Sequence, residues 1–228
     1  MIAVREESPA PEHADPGEIV DAVYSIACRS LPIDHAWALS QAIQAALPWF
    51  AAEPAAGLHT IHGAESGSGW TRPEGPDARI ELSHRAKLAL RIPRHRFDAA
   101  AALVGRTLDV AGSPLTVQGL GLRPLSRITT LFSRHVVLDA AGEEPVFLEA
   151  AGGELGAFGV RPERMLCGRV NLVTTPERTY LARSLMVAGL TQEQSLALQR
   201  QGLGAGRAFG CGLFIPHKDI ADLRTRED

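Results

Sequence analysis

The order of hydrophobic patterns along the chain is the feature that most constrains its fold. Between residues 19 and 118, patterns of period 2 and period 3.6 follow one another as strand, helix, strand, strand, helix and strand. The same order follows between residues 128 and 215, without evident sequence identity between the two halves. Two β-α-β-β-α-β units in tandem predict an α+β fold of two ferredoxin-like domains.

The predicted elements divide the chain into four parts. Strands are predicted at 19–28, 58–62, 80–92, 107–118 (a hairpin or a bent strand), 128–138, 165–174, 180–190 and 213–215, with a Gly- and Pro-rich loop at 63–76. Helices are predicted at 34–47 (capped by Asp34), 94–104, 145–155 and 192–201 (capped by Thr191). We therefore expect a disordered leader (1–17), an N-terminal domain (18–122), a C-terminal domain (123–218) and a tail (219–228).

Positive charge is concentrated in the middle of an otherwise acidic chain. The net charge of the 228 residues is -3, yet residues 82–135 contain nine Lys or Arg and only two acidic residues, Asp98 and Asp109. Such a segment predicts one surface that meets a polyanion. A solvated charged face accounts for the same counts equally well.

The cysteines and the hydropathy pattern exclude several classes of protein. Cys28, Cys167 and Cys211 are isolated and odd in number, which argues against a disulfide framework and against a structural zinc site. No apolar run is long enough to span a membrane, and the acidic N-terminus does not resemble a targeting peptide. We expect a cytoplasmic protein with no metal, no cofactor and no membrane contact.

A run of glycines follows the last predicted helix. This glycine loop (residues 202–212) contains Arg207 and five glycines, Gly202, Gly204, Gly206, Gly210 and Gly212. Because glycine lets a partner approach the backbone closely, the loop suits a phosphate-bearing ligand. It is not a nucleotide P-loop, since no Gly-Lys-Ser/Thr follows. It is not a dinucleotide fingerprint either, since the helix precedes the glycines.

Three segments together resemble the CRISPR repeat-RNA processing endoribonucleases, the Cas-six family of the RAMP superfamily. They are Leu31-Pro32-Ile33-Asp34-His35-Ala36-Trp37-Ala38-Leu39, the strand from Leu82 to Pro93, and the segment from Leu198 through the glycine loop. The resemblance covers about residues 18–218. It implies a tandem ferredoxin-like protein that binds CRISPR repeat RNA, expected as a stem-loop, and cuts it at one site.

The resemblance also implies a reaction without a metal. A 2′-hydroxyl attacks the adjacent phosphate and leaves a 2′,3′-cyclic phosphate and a 5′-hydroxyl. Other subunits of a CRISPR effector complex are further candidate partners. Two further functions stay open: a non-cleaving RNA-binding subunit of such a complex, and a regulatory protein that holds a metabolite in its glycine loop. The latter predicts no salt-dependent affinity for RNA.

Two histidines are candidates for the proton transfers that such a cleavage requires. His35 opens a predicted helix directly after a strand, where family members commonly place their histidine. A helix N-terminus favours the neutral imidazole, whereas the adjacent Asp34 favours the charged form. His59 is the second candidate, and an ordinary structural role is open for both. His59 and His62 form a His-x-x-His pair, but no carboxylate or cysteine accompanies them at a ligand spacing.

The predicted RNA contacts are cations and glycines. On a regular strand over 80–92, Arg85, Lys87 and Arg91 share one face. On a duplex stem, such side chains contact phosphates and fix the position of the protein. The full predicted set is Arg85, Lys87, Arg91, Arg94, Arg123, Arg127, Arg207, Gly202, Gly204, Gly206, Gly210 and Gly212, with Arg96 and Arg134 nearby in the sequence.

Overall fold

Two large antiparallel sheets, one after the other along the chain, and a small two-stranded sheet form the described part of the molecule. The computed structural model describes residues 18–62, 75 and 78–217. The predicted leader, the predicted tail and nearly all of the 63–76 loop lie outside these residues. Within the described residues, no helix is long and apolar enough to cross a bilayer.

The first half builds a five-stranded sheet with its helices on one face. Its elements are β1 (Ile19–Ala27), β2 (Ser30–Pro32), α1 (Ala36–Ala46), α2 (Trp49–Ala52), β3 (Gly57–His59), β4 (Arg79–Glu81), β5 (Lys87–Pro93), α3 (Phe97–Ala100), β6 (Thr107–Val110) and β7 (Ser113–Pro124). The strand order is β3-β5-β1-β7-β6, and β2 pairs with β4 separately. Short 3₁₀ turns on both sides of α3 extend it over 94–103, close to the predicted helix.

Alternation along β1 separates the core from the opposite face of the sheet. Val20, Ala22 and Tyr24 are fully buried in the first core cluster, together with side chains of the three helices. The Tyr24 hydroxyl donates to the carbonyl of Ala100 at the end of α3, at 2.9 Å. Asp21 and the other odd-numbered residues of β1 point the other way, which leaves one face of the sheet for the second half of the chain.

The second half repeats the pattern. Its elements are β8 (Leu131–Val136), α4 (Glu144–Ala157), β9 (Arg164–Thr174), β10 (Thr179–Ala188), α5 (Gln192–Gln201) and β11 (Ile215–Pro216). The strand order β11-β8-β10-β9 matches that of the first sheet from β7 to β3. Thr191 caps α5 as predicted: its hydroxyl accepts from the Gln194 amide, and the Gln194 side chain accepts from the Thr191 amide. The tandem ferredoxin-like fold is confirmed.

Two local predictions are wrong. The strand expected over 80–92 is interrupted by a turn between β4 and β5, and Leu88 to Ile92 are all buried rather than alternating. The reason is that β5 lies between β3 and β1, and both of its faces are covered. Asp34 does not cap α1, because His35 is the N-cap residue and no side-chain hydrogen bond is made there.

Candidate active site and nucleic-acid interface

A cleft of about 290 Å³ lies between the start of α1, the residues after β3, and strands β8 to β10. Its polar walls include His35, His62, Arg134 and His135. Asp34 is the single carboxylate among the described residues that line it. A cleft with several cationic or titratable nitrogens and one acid attracts a negatively charged ligand.

The cleft continues into two further cavities. The next, of about 190 Å³, shares His62 and Arg134 with the cleft and adds His59 to its walls. The last, of about 380 Å³, lies on the open face of the first sheet and shares Lys87 and Arg123 with the second. We call this continuous surface, defined by His62, Arg134, Lys87 and Arg123, the basic groove. Its length and charge suit an extended polyanion.

His35 is buried at the edge of the cleft and is held by backbone groups. The residue is 4% exposed. Its Nδ1 donates to the Pro32 carbonyl at 2.9 Å, and its Nε2 accepts from the Ile61 amide at 3.2 Å. Because one ring nitrogen donates and the other accepts, these bonds select the neutral imidazole with its proton on Nδ1. His35 therefore ties the start of α1 to the segment after β3.

His62 lies among the other histidines, beside Arg134. Arg134, His35, His135 and His59 are all close enough to act on its charge. Partial desolvation, followed by the positive charge of Arg134, lowers the pKa of His62, although the residue as a whole is exposed. The ring is therefore neutral near pH 7 and able to accept a proton. Its Nε2 lies 3.2 Å from the Thr60 hydroxyl.

His59 belongs to a buried charge network centred on Asp21. Its Nε2 lies 3.4 Å from the Asp21 carboxylate, which also accepts from Arg91 at 2.9 Å and from Arg123 at 3.0 Å. Burial raises the pKa of Asp21, but the hydrogen bond from His59 and the charge of Arg91 outweigh it and hold this pKa well below its usual range. Burial lowers the pKa of His59, and the hydrogen bond to Asp21 offsets this only in part.

Arg91 is an internal connection between the two halves and not a surface cation. Its residue is 1% exposed. Besides Asp21, its guanidinium donates to the carbonyls of Gln199 at 3.0 Å and Phe214 at 2.8 Å. Arg85, Lys87 and Arg91 were predicted to share one strand face. Lys87 and Arg91 do lie on the same face of β5, but Arg91 is buried there and Arg85 precedes the strand. Arg85 lies in the turn before β5, and Lys87 alone reaches the basic groove.

The backbone of the glycine loop is used for packing. Amides at residues 202, 203, 205 and 209–212 donate to carbonyls of the protein. Gly204 has φ +73°, and a Cβ there would collide with the carbonyl oxygen of Val137. Glycine is needed because protein backbone approaches closely at a left-handed position. The amides of Gly202, Gly210 and Gly212 are therefore engaged within the protein and not free to cradle a phosphate. The RNA contacts predicted at Gly204 and Gly206 stay predictions.

Arg207 fixes the glycine loop to the first half of the molecule. Its Nε and one terminal nitrogen donate to the Ala55 carbonyl at 3.1 and 2.9 Å, and the other nitrogen donates to the Gln201 carbonyl at 2.8 Å. Burial lowers the pKa of Arg207 to about 10. Its predicted role as a phosphate contact is replaced by a structural one. Nearby, the Ser40 hydroxyl donates to the carbonyl of Ala208.

The remaining predicted cations are divided between the groove and other surfaces. Arg123 lines the groove with a side chain that is 57% exposed. Arg94 pairs with Glu18 at 3.3 Å and does not line the groove. Arg127 is exposed outside it. Lys87, Arg123 and Arg134 are thus the cations that the fold brings to one surface.

Sequence reasoning underrated two residues of the cleft. His62 was weighed only as the companion of His59, and His135 was not identified. The sequence gives only weak signs of a role for either histidine. His135 follows Arg134 in a predicted strand, and His62 is the last residue of the strand predicted at 58–62. Their meeting depends on how the two sheets face each other, which local patterns do not specify.

Solved structures with this fold include the following three. A CRISPR-associated protein Cas6 matches with a TM-score of 0.63 at 11% identity, covering 88% of this chain and 100% of that one. A RAMP protein binding different RNA substrates matches with a TM-score of 0.59 at 11% identity, covering 87% and 100%. A Cas6-related protein from Pyrococcus furiosus matches with a TM-score of 0.57 at 10% identity, covering 88% and 99%. At these identities the likeness concerns the fold alone.

Sequence comparison is more specific. The family model for Cas6, "Cas6 Crispr", matches residues 20–219. The CRISPR-associated endonuclease Cas6 of Myxococcus xanthus is 31% identical over 208 residues, which cover 90% of this chain and 85% of that protein. The family match runs through both sheets and includes the cleft and the glycine loop. Taken with the fold, the two matches show that the chain belongs to the Cas6 family.

Proposed function

We propose that this protein is a metal-independent endoribonuclease that binds the repeat RNA of a CRISPR precursor transcript and cuts it into guide RNAs. Its Myxococcus xanthus relative is named an endonuclease, and one protein of the same fold is described as binding RNA. The observation that carries the proposal is the gathering of His35, His62, His135 and Arg134 in one cleft, with Asp34 as its single lining carboxylate among the described residues.

The basic groove supplies the surface for the RNA backbone. Lys87 and Arg123 lie at one end and Arg134 at the other, so a strand that follows the groove meets cations along its length. Each neutralised phosphate releases condensed counterions, which favours binding and makes it dependent on salt. The repeat RNA is held by its phosphates along this path, with the scissile phosphate in the cleft.

The cleft has side chains for each step of a 2′-hydroxyl attack. A neutral histidine removes the proton of the 2′-hydroxyl as its oxygen bonds to the adjacent phosphorus. Arg134 stabilises the additional negative charge on the phosphorane. A protonated histidine donates a proton to the 5′-oxygen as its bond to phosphorus breaks. The products are a 2′,3′-cyclic phosphate and a 5′-hydroxyl.

The test uses the intact protein, hairpin repeat RNAs and EDTA. We expect one cut within the repeat, a cyclic phosphate on the upstream product, and no cutting when the nucleotide 5′ of the cut carries a 2′-deoxy sugar. Efficient cutting of that deoxy substrate, or a need for added Mg²⁺, would contradict the mechanism. Salt-dependent binding without any cutting would instead support the non-cleaving RNA-binding subunit.

A further inference from the structure

We propose that His62 is the catalytic histidine that contacts the scissile phosphate and that His35 is a positioning residue that holds His62 in place. The assignment rests on the proposed function and adds to it the identity of the group that transfers the proton. Neither role follows from membership of the family, because the resemblance in sequence points to His35 as the catalytic group.

The first observation is the place of His62 in the groove. Among the described histidines, only His62 lines both the cleft and the adjoining cavity. An RNA strand that passes from the first sheet into the cleft must therefore pass this side chain. His62 is also exposed, whereas His35 is 4% exposed. His59 is 14% exposed and is engaged with Asp21.

The second observation is the electrostatic setting of His62. The charged or titratable groups that act on it are Arg134 and His135 on β8, His35 before α1, and His59 on β3. Each of these four side chains is either positively charged or neutral. Burial of the ring comes first, and together with these groups it disfavours the protonated imidazole. A neutral base is left at pH 7, next to an arginine that can bind the phosphate. A base and a phosphate-binding cation side by side are what the attack of the 2′-hydroxyl requires.

The third observation concerns His35. Both of its ring nitrogens are bound to backbone groups, and one of these groups is the amide of Ile61, the residue before His62. To accept a proton from RNA, Nε2 would first have to release that amide and leave it buried without an acceptor, since Ile61 is 2% exposed. In its present place, His35 fixes the backbone from which His62 projects into the groove.

Glutamine substitutions separate the two roles. A glutamine amide carries a donor and an acceptor on neighbouring atoms, so His35→Gln can serve both the Pro32 carbonyl and the Ile61 amide, but it cannot transfer a proton. We expect His35→Gln to keep most of the single-turnover cleavage rate and His35→Ala to lose it. His62→Gln can keep its hydrogen bond to Thr60. We expect it to lose roughly 10²- to 10⁴-fold in rate, as the loss of a proton-transfer group implies, with unchanged RNA affinity.

The pH dependence of the rate provides an independent readout. In wild type and His35→Gln, the rate should rise with pH through a pKa below the usual histidine range. It should fall again at the higher pH at which the proton-donating histidine loses its proton. The residual activity of His62→Gln should lack that rise.

A normal rate for His62→Gln overturns the assignment. The assignment is also overturned if His35→Gln cleaves as slowly as His35→Ala while circular dichroism shows both variants folded, because His35 would then transfer the proton itself. Wild-type protein that binds repeat RNA without cutting it overturns the proposed function together with the assignment.

Discussion

Asp21 and Arg91 illustrate, at the scale of single residues, how one carboxylate organises the junction of the two sheets. The Asp21 residue is 3% exposed and lies among three basic side chains. Arg91 connects it to two carbonyls of the second half. A buried charge that loses its partner is costly, whereas an exposed ion pair contributes little. Arg91 and Arg123 share the same carboxylate and differ in exposure, so they form a natural comparison.

Replacing Arg91 with Met should lower the free energy of unfolding by about 3–5 kcal/mol, because Asp21 loses its buried partner and two carbonyls lose their donors. Urea denaturation followed by circular dichroism measures this. The matched control is Arg123→Met, whose guanidinium is 57% exposed and should contribute about 1 kcal/mol or less. Equal effects of the two substitutions would show that Arg91 does not hold the junction.

His59 should make the folded protein sensitive to mild acid. Its pKa is lowered from 6.5 by burial, so between pH 6.5 and that lower pKa the unfolded chain binds a proton that the folded chain does not. Stability from this group is complete above pH 6.5 and falls with pH by up to about 1.4 kcal/mol per unit. His59→Gln should lose less stability than wild type between pH 7 and pH 5. His62 acts in the same direction, so the dependence should shrink without disappearing. The urea midpoints of wild type and His59→Gln at pH 7 and pH 5 provide the measurement. If the two proteins lose the same stability between these pH values, the prediction is wrong.

At the scale of elements, the sequence predicted correctly the helices and turns that are specified by their own residues. The α5 helix begins at a capping box, and β6 and β7 are joined by a turn with φ +49° at Ala111 and φ +78° at Gly112, as the Ala-Gly-Ser sequence suggested. β5 could not be predicted in the same way. Arg91 occupies a position that alternation assigns to solvent. Two of the groups that bind it, the carbonyls of Gln199 and Phe214, come from residues more than 100 positions later.

The glycine loop should tolerate little change where backbone crosses backbone. Gly204→Ala places a methyl group against the Val137 carbonyl at a left-handed φ, so we expect destabilisation of about 1–3 kcal/mol. Gly153→Ala is the control: it lies within α4, where an added methyl group would meet no atom within 4 Å, and should stabilise the protein by about 0.5–1 kcal/mol. Thermal unfolding of both variants tests the pair. A harmless Gly204→Ala would mean that the loop can move away from Val137.

At the scale of the whole molecule, the candidate site is built from parts that are far apart in sequence. His35 could be identified from the strand before it and the helix after it. The meeting of His62 with Arg134 and His135 could not, because it depends on the facing of two sheets that are each specified separately. The charge distribution predicted one basic surface, but it could not tell that Arg91 lies inside and that Arg123 lines the groove.

Neutralising Lys87 and Arg123 together should weaken RNA binding and reduce its dependence on salt. Each lost phosphate contact should lower the slope of log K against log salt by about 0.7–0.9, and the effect should be similar for different repeat sequences. Fluorescence anisotropy over a range of salt concentrations measures the slope. The control is the pair Arg85→Gln and Arg127→Gln, two exposed arginines that do not line the groove. A larger loss of slope in the control pair would place the RNA on another surface.

The bonds that Arg91 makes to Gln199 and Phe214 also set the time at which the site can exist during synthesis. All residues of the first sheet have been synthesised once the ribosome has passed Pro124. The middle of the basic groove also needs Gly210, Leu213 and Ile215. A nascent chain therefore carries His35, His59 and His62 for most of its translation without a finished groove around them. The groove is finished only when β11, the last strand among the described residues, emerges and pairs with β8.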